Sequence, residues 1–180
     1  MPFEYISRRE KKYYVRIAVG KNGKPRYTLT GSRTGQLADA MPEGFEIFEL
    51  PETGHAVLRK KQPTEILESE RDTLQHAVER QVGRGLARVE IDPKALVVYV
   101  TEIDAFRDLK PAHLLAKYIT FSKMMRFELA TATPREFTVD RWCFRGSIDN
   151  WLPLDGPAPL NTLIAKYVKH LGQESFFELV

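Results

Sequence analysis

Short segments of alternating apolar and polar residues, separated by turn-forming residues, constrain the fold of this chain more than any other feature. The clearest case is Tyr13–Val19 followed by Arg26–Thr30, with the Asn-Gly-containing segment Gly20–Lys24 between them. Alternation with a period of two is the pattern of a strand that is buried on one face. An Asn-Gly pair between two such segments is a strong hairpin signal. We therefore predict an antiparallel β-hairpin near the N-terminus.

The pairing of side chains decides the register of this hairpin. A two-residue Asn-Gly loop would set the apolar residues of one strand against polar residues of the other. A three-residue loop instead pairs Ile17 with Tyr27 and Val15 with Leu29. It also places Gly23 at the bulge position that requires a positive φ. Because a slip of one residue exchanges the two faces of a strand, we predict the three-residue loop.

Three further pairs of segments follow the same logic. They are Phe45–Leu50 with His55–Lys60, Ala87–Ile91 with Leu96–Thr101, and Ser122–Thr131 with Arg135–Phe144. In the first of these pairs we expect Phe48 opposite Leu58, with Gly54 at a bulge. In the last we expect Arg126 opposite Asp140. Antiparallel sheet is thus the dominant predicted element.

Other segments show the spacing of helices. Apolar residues recur at helical intervals in Thr64–Val82 and Leu160–Leu171, and a shorter helix is expected at Ala112–Tyr118. The stretches Gly31–Gly44 and Pro153–Pro159 are rich in turn residues and are predicted to be loops. The order of elements predicts an α+β fold, in which antiparallel β-hairpins form one or two sheets packed with about three helices.

Length and cysteine content bound the domain organisation. A chain of 180 residues buries about 70% of its unfolded surface, which is enough for a hydrophobic core without a disulfide. Its single cysteine, Cys143, excludes an intrachain disulfide. We predict a single compact domain over residues 1–180. The alternative that the sequence leaves open is an N-terminal β-hairpin subdomain, residues 1–62, docked on an α+β body, residues 63–180.

Charge is distributed unevenly along the chain, whose formal net charge is +3. Residues 1–35 hold nine Lys and Arg against two acidic residues, a net charge of +7. Residues 36–180 hold 18 basic and 22 acidic residues, a net charge of −4. Such asymmetry between segments bears on the kind of partner that a protein binds. The N-terminal segment is therefore the first candidate for contact with an anionic partner.

The predicted N-terminal hairpin presents part of this charge on one face. Its candidate binding residues are Tyr14, Arg16 and Arg26 on the strands, and Lys21 and Lys24 at the turn. Such a ribbon fits along a phosphate backbone, with the Tyr14 ring stacked on a base. Other interpretations stay open: the cations protect an exposed sheet edge, or the ribbon docks on the acidic remainder of the chain or on an acidic protein. The sequence contains no recognised nucleic-acid-binding motif that would decide between them.

A second candidate site lies where a predicted strand runs into a Gly-Ser loop, within Arg141–Trp151. Its candidate binding residues are Trp142, Arg145, Ser147, Asp149, Asn150 and Trp151. Aromatic walls with a few convergent polar groups are typical of a small-ligand pocket. In this interpretation Arg145 anchors an anionic group and Asp149 acts as a base. In the alternative, the arginines pair with neighbouring aspartates and the tryptophans fill the core.

No catalytic or cofactor motif accompanies these segments. The sequence lacks G-x-S-x-G, H-E-x-x-H, C-x-x-C and G-x-G-x-x-G, and its histidines are scattered. We therefore predict no catalytic residue, no metal ligand and no cofactor. The N-terminus lacks the apolar core of a signal peptide, and no apolar run approaches the roughly 18 residues of a membrane span. We expect a cytoplasmic protein without membrane contact.

Two function hypotheses follow. We favour an intracellular, non-enzymatic interaction module whose basic hairpin contacts a nucleic acid or an acidic protein. The alternative is a small-ligand-binding protein or an enzyme with its site at Arg141–Trp151. The C-terminus adds a question of assembly, because Phe176, Phe177, Leu179 and Val180 form an apolar tail. We expect this tail to dock on its own domain or, in a homodimer, on a second copy.

Overall fold

Antiparallel strands are the dominant element of the computed structural model, which describes residues 1–101, 118–145 and 148–180, without the side chains of Arg145 and Ile148. The described strands form three sheets, where the sequence predicts one or two. The chain divides into two compact units, with a boundary between Gln62 and Pro63. The same boundary separates the subdomain from the body in the alternative organisation. Whether the chain forms one domain or two stays a prediction.

The N-terminal unit contains five strands within Met1–Gln62. A three-stranded sheet has the order β1 (Glu4–Ile6), β2 (Lys12–Val19), β3 (Pro25–Thr30), and β4 (Phe45–Glu49) pairs with β5 (Ala56–Lys60). The ring of Tyr27 on β3 contacts the ring of Phe45 on β4, with 5.4 Å between centroids. Val15, in the middle of β2, is fully buried. The alternation seen in the sequence therefore turns one face of the β2–β3 hairpin towards β4.

The register predicted for the β2–β3 hairpin is confirmed. Ile17 lies opposite Tyr27, and Val15 lies opposite Leu29. Gly23 has a φ of 73°, a backbone conformation that residues with a Cβ rarely adopt. The turn therefore needs a glycine at this position, and the loop length that it permits sets the pairing of both strands.

The register predicted for the β4–β5 hairpin is wrong by one residue. Phe48 lies opposite Val57 and not opposite Leu58. The loop between the strands has four residues instead of three. It begins after Leu50 and ends before His55, because the amide of Leu50 donates to the carbonyl of His55 at 2.9 Å. This register sets Glu46 against Arg59, with 2.7 Å between Oε1 and Nε. The ion pair does not select this register, because the predicted one would have set Glu46 opposite the cationic Lys60.

The second unit is built on a five-stranded antiparallel meander. Its order is β10 (Ile148–Ala158), β9 (Arg135–Arg145), β8 (Ser122–Ala132), β7 (Ala95–Val100), β6 (Ala87–Asp92). Each strand pairs with its neighbour in the chain, as expected for segments joined by hairpin connections. Arg126 on β8 lies opposite Asp140 on β9, which confirms the predicted register of that pair.

Strand β10 is absent from the sequence prediction. The sequence predicts a loop at Pro153–Pro159, but residues 153–158 belong to β10. Prolines are tolerated in this strand because β10 lies at the edge of the sheet, where an N–H group that faces solvent has no partner strand to bond. Asp149, Asn150 and Trp151 therefore lie on a strand and not in a loop.

The described residues contain two α-helices, α1 (Glu68–Val82) and α2 (Leu160–Tyr167), fewer than the three predicted. The expected helix at Ala112–Tyr118 lies outside the described residues except for its last position. Helix α1 begins one turn later than predicted, and the segment before it is tied to the β6–β7 turn by the amide of Glu65, which donates to the carbonyl of Pro93 at 2.9 Å. No helix in the described ranges is long and apolar enough to cross a membrane.

Both helices pack on one face of the five-stranded sheet. The core between them contains fully or almost fully buried side chains from every layer: Leu74, Val78, Leu96, Val98, Met125, Phe127, Phe137, Val139, Leu163 and Leu171. Part of the C-terminal tail joins this core, since Phe176 is fully buried. Phe177 and Val180 are exposed. The tail thus docks on its own unit, and a homodimer stays a prediction.

Candidate functional site

The structure separates the five residues predicted to form the basic face of the β2–β3 hairpin. Lys21, Lys24 and Arg26 are exposed, Arg16 is half-buried, and Tyr14 is only 3% exposed. The exposed three cluster around the turn, whereas the other two lie further along β2. The candidate site is therefore smaller than the sequence indicated.

Tyr14 occupies a structural position. Its hydroxyl donates to Oε2 of Glu4 at 2.8 Å, and the guanidinium of Arg33 lies 5.5 Å from its ring centroid. The hydrogen bond to Glu4 raises the pKa of Tyr14, and burial is the second cause of this increase. Hydrogen bonds from Lys12 and Tyr14 lower the pKa of Glu4. The predicted stacking of the Tyr14 ring on a base is wrong for this arrangement, because that ring has no free face.

Arg16 is held within the first unit. Its Nη2 donates to Oγ1 of Thr30 at 3.3 Å. The segment Gln36–Ala38 runs antiparallel along β2, with the amide of Ala38 donating to the carbonyl of Val15 at 2.8 Å. The loop predicted at Gly31–Gly44 therefore covers this part of the hairpin. Tertiary contact, which the alternation pattern does not report, leaves Arg16 half-buried.

The exposed part of the hairpin is its tip, residues 18–26. Every residue of the hairpin tip is exposed except Gly20, which is half-buried. The backbone of the turn is fixed by the amide of Gly20, which donates to the carbonyl of Lys24 at 2.8 Å, and by the amide of Gly23, which donates to Gly20 at 2.9 Å. The hairpin tip is thus an ordered ribbon with both faces open to solvent.

The cations of the hairpin tip have no carboxylate partner in the part of the chain that the structure describes. Lys21, Lys24 and Arg26 form no ion pair with any acidic residue that the structure describes. In the sequence, residues 11–38 hold seven basic residues and no acidic one. This stretch alone does not select the hairpin tip, because Lys12 within it pairs with Glu4 at 3.0 Å.

The sequence reasoning missed a buried carboxylate in the same unit. Glu49 at the end of β4 is buried, and it accepts hydrogen bonds from the hydroxyl of Tyr5 at 2.6 Å and the amide of Arg8 at 3.0 Å. Nη2 of Arg8 also donates to the carbonyl of Pro51 at 2.9 Å. These contacts tie β1 to the β4–β5 turn. The sequence pattern gave no sign of them, because the partners lie more than forty residues apart.

The second predicted site forms a cluster on the face of the five-stranded sheet opposite the helices. Trp142 on β9 pairs directly with Trp151 on β10, with 4.9 Å between ring centroids and an angle of 74°. Nζ of Lys123 lies 5.3 Å from the Trp142 ring, and Cζ of Arg126 lies 5.1 Å from the Trp151 ring. These four residues are the tryptophan cluster. Each ring in it faces a cation of the same chain.

Two carboxylates lie beside the tryptophan cluster. Asp140 is 6% exposed and accepts hydrogen bonds from Nε and Nη2 of Arg126 at 2.9 and 2.6 Å. Glu128 lies 3.2 Å from the same guanidinium. Arg126 therefore bridges two carboxylates and a tryptophan ring. Its positive charge is therefore neutralised by side chains of the same sheet.

The remaining residues of the second predicted site do not converge in the described structure. Asp149 and Asn150 are exposed on β10, and Oδ1 of Asn150 accepts a hydrogen bond from the amide of Trp151 at 2.8 Å. The side chain of Arg145 and all of Ser147 lie outside the described residues. The structure thus joins the two tryptophans but gives no described polar group that points at a ligand beside them.

A surface cavity of about 240 Å³ opens elsewhere in the second unit, between the starts of α1 and α2. Its two charged side chains already neutralise each other, because Arg135 donates to the carboxylate of Glu70. Burial opposes ionisation of Glu70, but hydrogen bonds from Arg135 and the amide of Leu67 outweigh it and lower the pKa of Glu70. This ion pair fastens α1 to the β8–β9 turn.

A further ionic cluster fastens α2 to β10. Oδ2 of Asp155 accepts hydrogen bonds from Nζ of Lys166 at 2.5 Å and from the hydroxyl of Tyr167 at 2.9 Å. The hydrogen bond from Lys166, the amide of Gly156 and the hydroxyl of Tyr167 together lower the pKa of Asp155 to about 2. Burial and the bond to Asp155 raise the pKa of Tyr167. A tyrosine held in its neutral form is a structural donor and not a base.

Comparison with known proteins adds no relative. No protein-family model, no curated protein and no solved structure matches this chain. Within the described ranges, no three His, Cys, Asp or Glu residues are grouped so that they could hold a metal ion. The functional argument therefore rests on the hairpin tip and the tryptophan cluster.

Proposed function

We propose that this protein is a non-enzymatic interaction module whose hairpin tip binds the phosphate groups of a nucleic acid. The observation that carries the proposal is the exposure of Lys21, Lys24 and Arg26 without a carboxylate partner among the described residues. Exposed cations on a hydrogen-bonded ribbon bind a polyanion at a smaller entropic cost than cations on a flexible loop, because the backbone is ordered before binding.

A nucleic acid suits these cations better than an acidic protein does. The acid-free stretch of residues 11–38 leaves no alternating charge to match a protein surface, which carries both signs. A phosphate backbone has a single sign of charge and a regular spacing. Contacts of this kind fix a protein on the duplex without reading its sequence. An acidic protein is the alternative outcome of the test below.

The test is binding of the whole chain to a fluorescent 20-base-pair DNA duplex, followed over a range of salt concentrations. We expect a Kd in the range of about 10⁻⁴–10⁻⁶ M at physiological salt, and tighter binding at low salt. The logarithm of the association constant should fall with the logarithm of salt concentration, with a slope of about −1.8 for two phosphate contacts and about −2.7 for three. A polyglutamate chain of similar charge serves as the probe for an acidic protein partner.

The variant Lys21→Glu/Lys24→Glu/Arg26→Glu is expected to weaken duplex binding by more than about tenfold, because like charges then face the phosphates. Its melting temperature should stay close to that of the wild type, since exposed side chains without partners contribute within about 0.5 kcal/mol to stability. The matched control is Lys169→Glu, an exposed lysine of the second unit that changes charge in the same sense. Equal loss in the control, or polyglutamate binding as tight as DNA binding, contradicts the proposal.

A further inference from the structure

We propose that the ligand of the hairpin tip is double-stranded DNA, with the ribbon inserted in the major groove. This inference rests on the proposed function and names the form of nucleic acid that the same surface takes. Three features of the hairpin tip carry it: the composition of its side chains, its cross-section, and the donor fork of its one guanidinium.

The composition argues against a single strand. Residues 18–26 contain no aromatic side chain. The two tyrosines nearest to it on the strands are both engaged, Tyr14 by burial and Tyr27 by its contact with Phe45. Proteins that hold single-stranded nucleic acid stack its bases on aromatic rings, and this contact supplies a large share of the affinity. The hairpin tip has the cations for a backbone but no ring for a base.

The cross-section of the hairpin tip matches one groove. Two strands lie about 4.8 Å apart, and side chains on both faces add a few ångströms to each side. The major groove of B-form DNA, about 12 Å wide, admits a two-stranded ribbon, whereas the minor groove, about 6 Å wide, does not. The groove of an RNA duplex that corresponds to it is deep and narrow, so side chains do not reach its bases.

The side chains of the hairpin tip are arranged for such an insertion. Ala18 lies opposite Arg26 on one face, and Val19 lies opposite Pro25 on the other. Val19 is 80% exposed and Ala18 is exposed as well, so the tip carries small apolar groups of the kind that contact a thymine methyl. Lys21 and Lys24, at the turn, are free to reach phosphates on either side of the groove.

Arg26 is the one group of the hairpin tip that can read a base. Its guanidinium fork matches the O6 and N7 acceptors that guanine presents in the major groove. A lysine at this position would keep the charge but lose the fork. We therefore expect Arg26 to give a modest preference for guanine-containing duplexes over the background of phosphate contacts.

The experiment compares four ligands of one length and sequence: a DNA duplex, an RNA duplex, single-stranded DNA, and a DNA duplex in which 7-deazaguanine replaces guanine. Loss of N7 alters the major groove alone. We expect the DNA duplex to bind at least about tenfold more tightly than the RNA duplex and the single strand. Removal of N7 should weaken binding about fivefold to thirtyfold, the factor that corresponds to one lost base contact.

The variant Arg26→Lys separates this inference from the proposed function. It should keep the salt dependence of the wild type and lose less affinity than the wild type when 7-deazaguanine replaces guanine, because lysine lacks the rigid guanidinium fork. If the wild type binds single strands as tightly as duplexes, or does not distinguish the two DNA duplexes, the groove inference is overturned while phosphate binding stands. If the triple charge-reversal variant binds all four ligands as well as the wild type, the proposed function itself fails.

Discussion

The hairpin tip and the tryptophan cluster both contain cations on β-strands, and they use them in opposite ways. In the tryptophan cluster, Arg126 bridges Asp140 and Glu128 and lies over the Trp151 ring. In the hairpin tip, Lys21, Lys24 and Arg26 have no such partner among the described residues. Charge that is neutralised within a sheet stabilises the fold, whereas charge that is left unpaired is available to a partner. The difference predicts which variants lose stability and which lose binding.

The largest effect on stability is expected for Arg126→Ala. This change leaves the carboxylate of Asp140, 6% exposed, without its hydrogen-bond donors. Breaking a buried ion pair from one side destabilises a protein by about 3 kcal/mol. Urea unfolding of the variant measures the loss, and DNA binding by the hairpin tip should be retained at concentrations of urea where the variant is folded.

The control for this variant is Arg71→Ala. Arg71 also lies near two carboxylates, those of Glu68 and Asp72, at 3.6 and 3.4 Å, but all three are solvent-accessible. Exposed pairs contribute less than about 1 kcal/mol. If both variants lose the same stability, burial of Asp140 is not what makes the tryptophan cluster a structural element.

A smaller effect is expected for Gly23→Ala in the hairpin tip. The φ of 73° at Gly23 is unfavourable for alanine by about 1–2 kcal/mol, although no atom within 4 Å obstructs the new Cβ. We expect this loss in thermal unfolding, together with weaker DNA binding because the turn that orders the three cations is strained.

Gly31→Ala is the matched control for that change. Gly31 also lies in the first unit, its φ is not positive, and the nearest atom to an added Cβ is 3.8 Å away. Alanine there should leave stability unchanged or slightly raised, since it restricts the unfolded chain. A Gly23→Ala protein as stable as Gly31→Ala would show that the turn does not hold the conformation described.

The smallest effect is expected for Asp155→Asn, and it depends on pH. The pKa of Asp155 is lowered from 3.8 to about 2 in the folded protein, so its ionised form is favoured by folding. This contribution is fully present above about pH 4 and is lost as the pH falls towards 2. The melting temperature of the wild type should exceed that of the variant at pH 6.

The difference between these two melting temperatures should then shrink between pH 4 and pH 2. DNA binding, measured at neutral pH, should be equal in both proteins because Asp155 lies in the second unit and its partners are Lys166 and Tyr167. A difference in melting temperature that persists at pH 2 would mean that the carboxylate charge is not what joins α2 to β10.

Local patterns were sufficient for the parts of the fold that depend on neighbouring residues. The registers of β2–β3 and β8–β9 follow from alternation and from the turns between them. The same reasoning placed Lys21, Lys24 and Arg26 at one end of a hairpin, where they are exposed. In each case the decisive contacts join residues that are close in the chain.

Local patterns failed where a distant segment or a sheet position decides the outcome. The prolines of β10 led to the prediction of a loop. A strand tolerates proline at the edge of a sheet, and only the assembled sheet shows that β10 lies at an edge. Tyr14 read as an exposed ring because nothing in β2 reports that Glu4 and Arg33 enclose it. The register of β4–β5 differs by one residue from the predicted one because the loop has four residues, closed by the amide of Gly54, which donates to the carbonyl of Leu50 at 2.7 Å.

The sequence by itself determined the excess of positive charge in the N-terminal segment, the class of fold, and the hairpin on which that charge lies. The tertiary structure decided which of those charges a partner can reach. It covered Tyr14 and Arg16 with other parts of the first unit and left the hairpin tip open. The physical reason is that periodicity records which face of a strand is apolar, whereas exposure depends on what the rest of the chain packs against that strand.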